Sequence, residues 1–116
     1  MPHVVTERCV NCRYTDCAAV CPSDSFFMIE KPAMLVINPE SCIDCGLCIP
    51  ACPVHAIYPG DEVPPQYQEW VEKNGGLARD GKLINVKIAA LPSAVALDQI
   101  HQRERERGWA IPEPSV

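Results

Sequence analysis

Short apolar segments flanked by turn residues dominate the first sixty residues of the chain. Runs of two or three aliphatic, β-branched or aromatic residues between such turns are typical of short strands. Two of these segments flank a loop that contains Pro32 and predict one hairpin, and the outer two predict a second antiparallel pair. The four segments are Val4-Val5, residues 26–28, residues 35–37 and Ile57-Tyr58.

Longer elements are predicted beyond residue 60. A helix is predicted over residues 63–74, because a Pro-Pro pair opens the segment and a Gly-Gly pair follows it. Hydrophobic and polar residues alternate over residues 82–89, which predicts a strand after an Asp-Gly turn. The helix is expected to place Tyr67, Trp70 and Val71 on one face, and the strand Ile84, Val86 and Ile88 on one side.

A second helix is predicted over residues 93–107, near the end of the chain. Ser93 is expected to cap its first turn, and Gly108 is expected to end it. The alternating charges of residues 103–107 indicate a solvated, ion-paired helix end rather than a binding patch. The apolar stripe of this helix is short and consists of Ala94, Leu97 and Ile100.

The length and composition fit one small domain with an extension. The chain has 116 residues, of which 47% are hydrophobic and 22% are charged, as in globular proteins. The predicted elements indicate an α+β fold with two small β-hairpins and short helices. Residues 1–60 are expected to form the domain, and residues 61–116 an extension that wraps the domain or docks a partner.

Charge and hydropathy exclude two classes of protein. The net charge is -5 and no block of like charge is present, so nucleic acid is not expected as a partner. The most apolar stretch, residues 88–97, contains Pro92 and Ser93 and is too short to span a membrane. The first residues do not resemble a signal peptide, so we expect a cytoplasmic location, where cysteines bind metals more often than they form disulfides.

The eight cysteines form the most informative pattern, because they occur as two runs of four that each end in Cys-Pro. Corresponding cysteines are separated by 33, 33, 31 and 31 residues, so the runs differ only by two extra residues in the first. Together with the flanking apolar segments, this repeat predicts a duplicated unit over residues 1–60. The runs are Cys9, Cys12, Cys17 and Cys21, and Cys42, Cys45, Cys48 and Cys52.

The cysteine spacing favours iron–sulfur clusters over a zinc site or a disulfide scaffold. The second run reads Cys-x2-Cys-x2-Cys-x3-Cys-Pro, and in two-cluster proteins the fourth cysteine of such a run binds the other cluster. Structural zinc sites usually combine two Cys-x2-Cys pairs across longer spacers. The crossover predicts one [4Fe-4S] site formed by Cys42, Cys45, Cys48 and Cys21.

The other predicted site is less regular. It combines Cys52 with members of the first run, in which the extra residues Thr15 and Asp16 add up to about 7 Å of chain. This insertion disturbs a loop in which three cysteines would have to converge. A site that presents only three thiolates favours a [3Fe-4S] cluster, whereas ligation by Cys12 as well would give an eight-iron protein.

With these motifs the chain resembles the bacterial seven-iron ferredoxins, which carry one [3Fe-4S] and one [4Fe-4S] cluster. The resemblance spans approximately residues 3–75, and it continues through Asp61-Glu62-Val63-Pro64. It implies that Cys9, Cys17 and Cys52 bind the three-iron cluster and that Cys12 is a free thiol. The matching segments are residues 9–17, 20–22, 42–48, 52–53 and 56–57.

Asp16 is a candidate for proton coupling. It adjoins Cys17, one of the implied ligands of the three-iron cluster. Reduction adds negative charge beside this carboxylate, which favours proton uptake. The alternative is a solvated aspartate in a loop.

The resemblance implies a one-electron carrier without an active site of its own. It would shuttle electrons between a ferredoxin reductase and a terminal oxidoreductase, as a monomer that forms transient complexes. We find no nucleophile–base motif and no dinucleotide- or phosphate-binding pattern. The alternatives are a permanently bound subunit of a larger oxidoreductase, anchored by residues 76–116, an iron or oxygen sensor, and an eight-iron 2[4Fe-4S] ferredoxin.

Overall fold

The computed structural model describes residues 3–30, 33–43 and 45–109 of the chain. These residues form short strands and helices, as the predicted α+β class requires. The strands are β1 (His3–Val5), β2 (Phe26–Glu30), β3 (Ala33–Ile37), β4 (Ile57–Pro59) and β5 (Lys82–Leu83). The helices are α1 (Asp16–Val20), α2 (Cys48–Ala51), α3 (Trp70–Ala78) and α4 (Leu97–Glu106), with 3-10 turns at Glu7–Cys9 and Pro65–Tyr67.

The outer strands of the first sixty residues pair with each other. β1 and β4 are antiparallel, with Val4 opposite Tyr58 and Val5 opposite Ile57. This register confirms the predicted pairing, and all four side chains are buried. The pair brings the start of the first cysteine run next to the end of the second.

β2 and β3 form the predicted hairpin. They are antiparallel, with Phe26 opposite Ile37 and Glu30 opposite Ala33. Pro32, which the sequence places in the turn, lies outside the described residues. The interior face of the hairpin is part of the core that encloses the cysteines.

The strand predicted over residues 82–89 is shorter than the alternating pattern indicates. Of residues 82–89, only the two residues of β5 pair with a strand, and their partner is β2. Ile84 is buried, but Val86 and Ile88 are 58% and 43% exposed, so the prediction of one common side was wrong. The chain leaves the sheet after β5, and the backbone of Ile88 bonds to the side chain of Thr15 instead.

Helix α3 begins later and ends later than predicted. The residues after the Pro-Pro pair form a separate 3-10 turn, and α3 continues through Gly75 and Gly76 to Ala78. A Cβ added to Gly75 would lie 3.3 Å from the Cγ of Pro39, so this glycine allows close packing and does not end the helix. Of the three residues predicted to share a helix face, Tyr67 lies in the 3-10 turn and is buried, Trp70 is buried and Val71 is partly buried.

Asn74 joins α3 to both sheets. Its side-chain Oδ1 accepts hydrogen bonds from the backbone N–H groups of Val5 (3.0 Å) and Ile37 (2.9 Å). Its Nδ2 donates to the carbonyls of Val5 and Trp70, each at 2.8 Å. Because Asn74 is buried, these four bonds satisfy backbone groups that no solvent reaches.

Helix α4 begins four residues later and ends one residue earlier than predicted. Its N-cap is Ala96, whereas the hydroxyl of Ser93 donates to the carbonyl of Asn11. The tertiary contact therefore replaces the predicted cap. Gly108 has φ +76 and follows the last turn, which confirms its role as a helix terminator.

The charged end of α4 is not entirely solvated. Arg107 forms an exposed ion pair with Glu7 at 2.9 Å, but Glu104 is only 3% exposed. Its carboxylate accepts hydrogen bonds from Nε of Arg8 at 2.7 Å and from the hydroxyl of Tyr67. Burial opposes ionisation of Glu104, but these hydrogen bonds outweigh it and lower its pKa.

Between β5 and α4, the chain crosses the first cysteine run. We call residues 84–96 the strap. The strap is held to the loop by hydrogen bonds that involve both backbones and three side-chain hydroxyls. These bonds join Ile88 to Thr15, Leu91 to Cys12, Ser93 to Asn11 and Val95 to Tyr14.

In the part of the chain that the structure describes, no helix has the length and apolar character needed to cross a membrane.

Candidate metal centres

Four cysteines line one cavity beside β1 and β2. Cys42 and Cys45 belong to the loop of the second run, and Cys48 begins α2. Cys21 follows α1 and comes from the first run. The group has the same membership as the predicted crossover site. Other parts of the cavity wall are formed by His3, Ser25, Phe26 and Gly46.

The thiols of this group influence one another. Burial raises the pKa of Cys48 to about 12, and the nearby thiols of Cys42, Cys21 and Cys45 add to the shift. At Cys21, burial also acts to raise the pKa, but hydrogen bonds from Ser25 and Ser23 lower it. The cavity therefore contains several thiols whose negative charges would repel one another in the absence of a cation.

Each cysteine loop turns through a residue with positive φ after its second cysteine. Gly46 has φ +77 and fills this position in the second loop. Arg13 fills it in the first loop with φ +48, a conformation that costs a non-glycine residue about 1 kcal/mol. The side chain of Arg13 is anchored by the carbonyl of Ile29 and by an ion pair with Glu30.

The other four cysteines form a second group. Cys9, Cys12, Cys17 and Cys52 are all at most 5% exposed. Burial raises the pKa of Cys9 to about 12, and the nearby thiols of Cys52 and Cys12 add to the shift. Burial also raises the pKa of Cys17, reinforced by Cys52 and Cys9. The structure therefore places Cys52 beside Cys9 and Cys17 of the first run, and Cys12 belongs to the same group.

Backbone N–H groups point at two sulfurs of this second group. The N–H of Leu35 donates to Sγ of Cys9 at 3.3 Å, and the N–H of Ala56 donates to Sγ of Cys52 at 3.4 Å. Such bonds favour the thiolate and stabilise negative charge on a bound cluster. Strand β3 and the residue that precedes β4 therefore support the cysteines electrostatically as well as by packing.

The two extra residues of the first run are bound into the fold. Thr15 is buried, and its hydroxyl accepts from the N–H of Ile88 at 2.7 Å and donates to the carbonyl of Ile88 at 2.9 Å. Asp16 begins α1 and forms an ion pair with Lys87 at 3.5 Å. It also lies near Cys52, where its charge acts to raise the pKa of that buried thiol.

The donor set suits iron–sulfur clusters better than a single ion or disulfides. All eight cysteines are described, and none forms a disulfide. Among the described side chains, no three Cys, His, Asp or Glu residues lie close enough to hold one metal ion. Buried thiols with raised pKa values ionise readily only beside a cation, and cluster iron supplies that charge. The residues therefore fit thiolate-bound iron in clusters.

Sequence reasoning missed two contributions to the site. His3 is buried in the cavity wall, and its Nδ1 lies 4.0 Å from Sγ of Cys42. Arg8 precedes Cys9 and is held by the buried carboxylate of Glu104. Neither contact has a local sequence signal, because each partner lies far away along the chain.

Comparison with known proteins agrees with this chemistry. Residues 35–58, which include the whole second cysteine run, match a family model described as a 4Fe-4S binding domain. The chain is 48% identical over 96 residues to a protein named ferredoxin from Rickettsia felis, covering 81% of this chain and 84% of that protein. It is 45% identical over 87 residues to ferredoxin-1 from Caulobacter vibrioides, covering 75% and 74%, respectively. The aligned segments of 96 and 87 residues are longer than the predicted range of resemblance, which is residues 3–75.

Proposed function

The chain belongs to the ferredoxin family, and on that premise we propose that it carries one [3Fe-4S] and one [4Fe-4S] cluster. It is an iron–sulfur electron carrier with a 4Fe-4S binding domain and is not an enzyme. In our proposal, it works in the cytoplasm and passes single electrons from a ferredoxin reductase to a terminal oxidoreductase through transient complexes.

The proposed [4Fe-4S] ligands are Cys21, Cys42, Cys45 and Cys48. The observation that carries the proposal is the single cavity that all four thiols line, although one comes from the first cysteine run. The match of residues 35–58 to a 4Fe-4S binding domain gives independent support. The compact spacing of the second run lets three of its cysteines reach neighbouring irons.

The proposed [3Fe-4S] ligands are Cys9, Cys17 and Cys52, with Cys12 a free thiol. Support comes from the two extra residues between Cys12 and Cys17. Both of these residues have their own partners outside the loop, Ile88 and Lys87. Because these contacts hold the loop in its longer course, we expect it to present three ligands rather than four.

The residues of the chain adjust the environment of each cluster. A bound iron–sulfur cluster supplies iron that changes oxidation state by one electron. The N–H groups of Leu35 and Ala56 stabilise negative charge at Cys9 and Cys52, and burial keeps water from the second group of thiols. Fewer water contacts and more N–H donors act in opposite directions on the reduction potential.

Proton coupling at Asp16 remains a proposal. The position of Asp16 beside Cys17 and near Cys52 supports it, since both are proposed ligands of one cluster. Asp16 also forms an ion pair with Lys87 at 3.5 Å. The proposal requires that the negative charge added on reduction outweighs this partly exposed ion pair.

The proposed division of the chain is a duplicated cluster unit over residues 1–60 and an extension over 61–116. Residues with positive φ recur at the offsets of the cysteines, since Arg13 and Gly46 are 33 apart and Asp24 and His55 are 31 apart. These offsets support duplication. The extension acts mainly through the strap, which holds the first cysteine loop.

Electron paramagnetic resonance of the anaerobically purified protein tests the cluster content. We expect about seven iron and about eight acid-labile sulfide per chain, because the two proposed clusters contain these numbers of atoms. The oxidised protein should give a three-iron signal, and the reduced protein a four-iron signal. Two four-iron signals after reduction, with no three-iron signal before it, would show that Cys12 is a ligand.

A further inference from the structure

A cavity of about 240 Å³ lies between the start of the first cysteine run and helix α4. One wall includes Arg8, Val10 and Asn11, and the opposite wall comes from α4. At about 30 Å³ each, about eight water molecules would fill it. None of the eight cysteines, all of which the structure describes, lines this cavity. It is therefore separate from both groups of thiols.

Helix α4 lines the cavity with side chains that recur three and four residues apart. Such positions share one face of a helix. Ile100 on this face is buried, whereas Arg103 and Arg107 are exposed. The helix therefore gives the cavity an apolar part and a cationic rim. The four lining residues of α4 are Ile100, Arg103, Glu104 and Arg107.

The two arginines of the rim have N–H donors to offer a ligand. Among the described residues, Arg103 has no ion pair and no side-chain hydrogen bond. Arg107 pairs with Glu7 through one nitrogen, Nη1, at 2.9 Å, and such an exposed pair contributes little stability. Arg8 is different, because its guanidinium donates to Glu104 and to two backbone carbonyls. The rim arginines are thus available, and Arg8 is not.

The rest of the lining suits an apolar body beside one hydrogen-bonding group. Val10 is partly buried, and Tyr67 is buried. The backbone of Asn11 is held on both sides, since its N–H donates to Ala33 and its carbonyl accepts from Ser93. The side-chain amide of Asn11 is exposed and has no hydrogen bond within the described part of the chain. It therefore adds a fixed polar group to the rim.

The charges of the lining favour a ligand with a single negative charge. Three arginines and two glutamates line the cavity, so its net charge is +1. One carboxylate balances this charge, whereas the second charge of a phosphate monoester would be repelled by Glu7 and Glu104. A carboxylate also matches the parallel N–H donors of a guanidinium group.

We propose that this cavity binds a small carboxylic acid as its monoanion. The carboxylate contacts Arg103 and Arg107, and an apolar or aromatic body lies against Val10, Tyr67 and Ile100. This inference goes beyond the proposed function, because none of these residues is a proposed cluster ligand. A ligand in this position joins α4 to the first cysteine loop. It should therefore stabilise the folded protein by mass action.

Benzoate tests the proposal, because it joins one carboxylate to a compact apolar ring. Calorimetric titration of the intact iron-loaded protein at low salt should show one benzoate bound per chain. Benzamide has the same shape without the charge, and inorganic phosphate has charge without the ring. Each should bind about tenfold more weakly than benzoate. Absence of benzoate binding at millimolar concentrations, or equal binding of benzamide or phosphate, would overturn the proposal.

A matched pair of variants locates the binding. Arg103→Gln should weaken benzoate binding about tenfold. Arg105→Gln lies on the same helix and is exposed, but Arg105 does not line the cavity, so the affinity should not change. Equal loss of affinity in both variants would mean that benzoate responds to the overall charge of α4, and it would overturn the site.

Thermal unfolding gives a second measurement that does not depend on electron transfer. Saturating benzoate should raise the Tm of the native protein and of Arg105→Gln, but should raise that of Arg103→Gln less. Iron–sulfur absorption of each protein shows separately whether the clusters are bound. A native protein that binds benzoate but shows no iron–sulfur absorption would contradict the proposed function and leave this site intact. Equal Tm shifts in all three proteins would contradict the site alone.

Discussion

The two cysteine loops have nearly the same cysteine spacing but very different surroundings. In the first loop, Cys9, Cys12 and Cys17 are buried and the strap covers the backbone. In the second loop, Cys45 and the side chains of Ile43 and Leu47 are exposed. The first loop is thus enclosed by residues that lie more than seventy positions later in the chain, while the second remains open to solvent.

The difference is one between an enclosed and an open copy of the same cysteine motif. Burial, N–H donors and solvent access adjust the reduction potential of a cluster, and exposure determines where a partner can approach. An enclosed loop protects its site and fixes its ligand geometry. An open loop shortens the path to another protein. We therefore interpret the extension as the element that makes the two halves unequal.

Replacement of single cysteines should have the largest effect, because each variant should remove one cluster signal and leave the other. Cys52→Ala should remove the three-iron signal and spare the four-iron signal, because Cys52 lies with Cys9 and Cys17. Cys21→Ala should do the reverse, because Cys21 lines the cavity of the second run. Iron analysis and paramagnetic resonance of both variants measure the outcome. If Cys52→Ala loses the four-iron signal first, the proposed ligand partition is incorrect.

The buried ion pair behind the first loop should have the next largest effect. Glu104→Gln leaves the charge of Arg8 buried without its counterion, which should lower the free energy of unfolding by about 3 kcal/mol. On heating, we expect the three-iron signal to disappear before the four-iron signal, since Arg8 adjoins Cys9. Thermal unfolding followed by circular dichroism and paramagnetic resonance reports both quantities.

The matched control for this pair lies on the same helix. Glu106 is exposed, and its carboxylate accepts a long hydrogen bond of 3.5 Å from Gln102. Glu106→Gln should change the free energy of unfolding by less than about 0.5 kcal/mol. Equal destabilisation by both variants would mean that the effect comes from the charge of α4 and not from the pair with Arg8.

The contact between Thr15 and the strap should give the smallest effect and the most local one. Thr15→Val keeps the shape of the side chain but removes both hydrogen bonds to Ile88. We expect the free energy of local opening of the strap to fall by about 1.4 kcal/mol, so the amides of Ile88 and Leu91 should exchange about tenfold faster. Hydrogen exchange followed by mass spectrometry or NMR measures this change.

A control for the strap is available at the other loop. The hydroxyl of Ser41 donates to the carbonyl of Asn38 beside the second cysteine run. Ser41→Ala should leave the exchange of Ile88 and Leu91 unchanged. Uniformly faster exchange in Thr15→Val, including at Ile49 in α2, would indicate global destabilisation and contradict a local role for the strap.

The sequence by itself determined the chemistry and the local elements of this protein. Cysteine spacing is a local property, so it predicted two groups of thiols, and the four cysteines that line one cavity are those predicted for the [4Fe-4S] site. The hairpin of β2 and β3, the pairing of β1 with β4 and the end of α4 at Gly108 were also predicted. Each follows from short apolar segments or from a turn residue with a strong conformational preference.

Only the tertiary structure decided which loop is enclosed. Ser93 bonds to Asn11 instead of capping a helix, Glu104 is buried by Arg8, and Asn74 joins α3 to both sheets. In sequence these residues look like a cap, a solvated charge and a helix end. Their roles depend on buried partners far along the chain, and a buried polar group must find such a partner wherever the fold provides it.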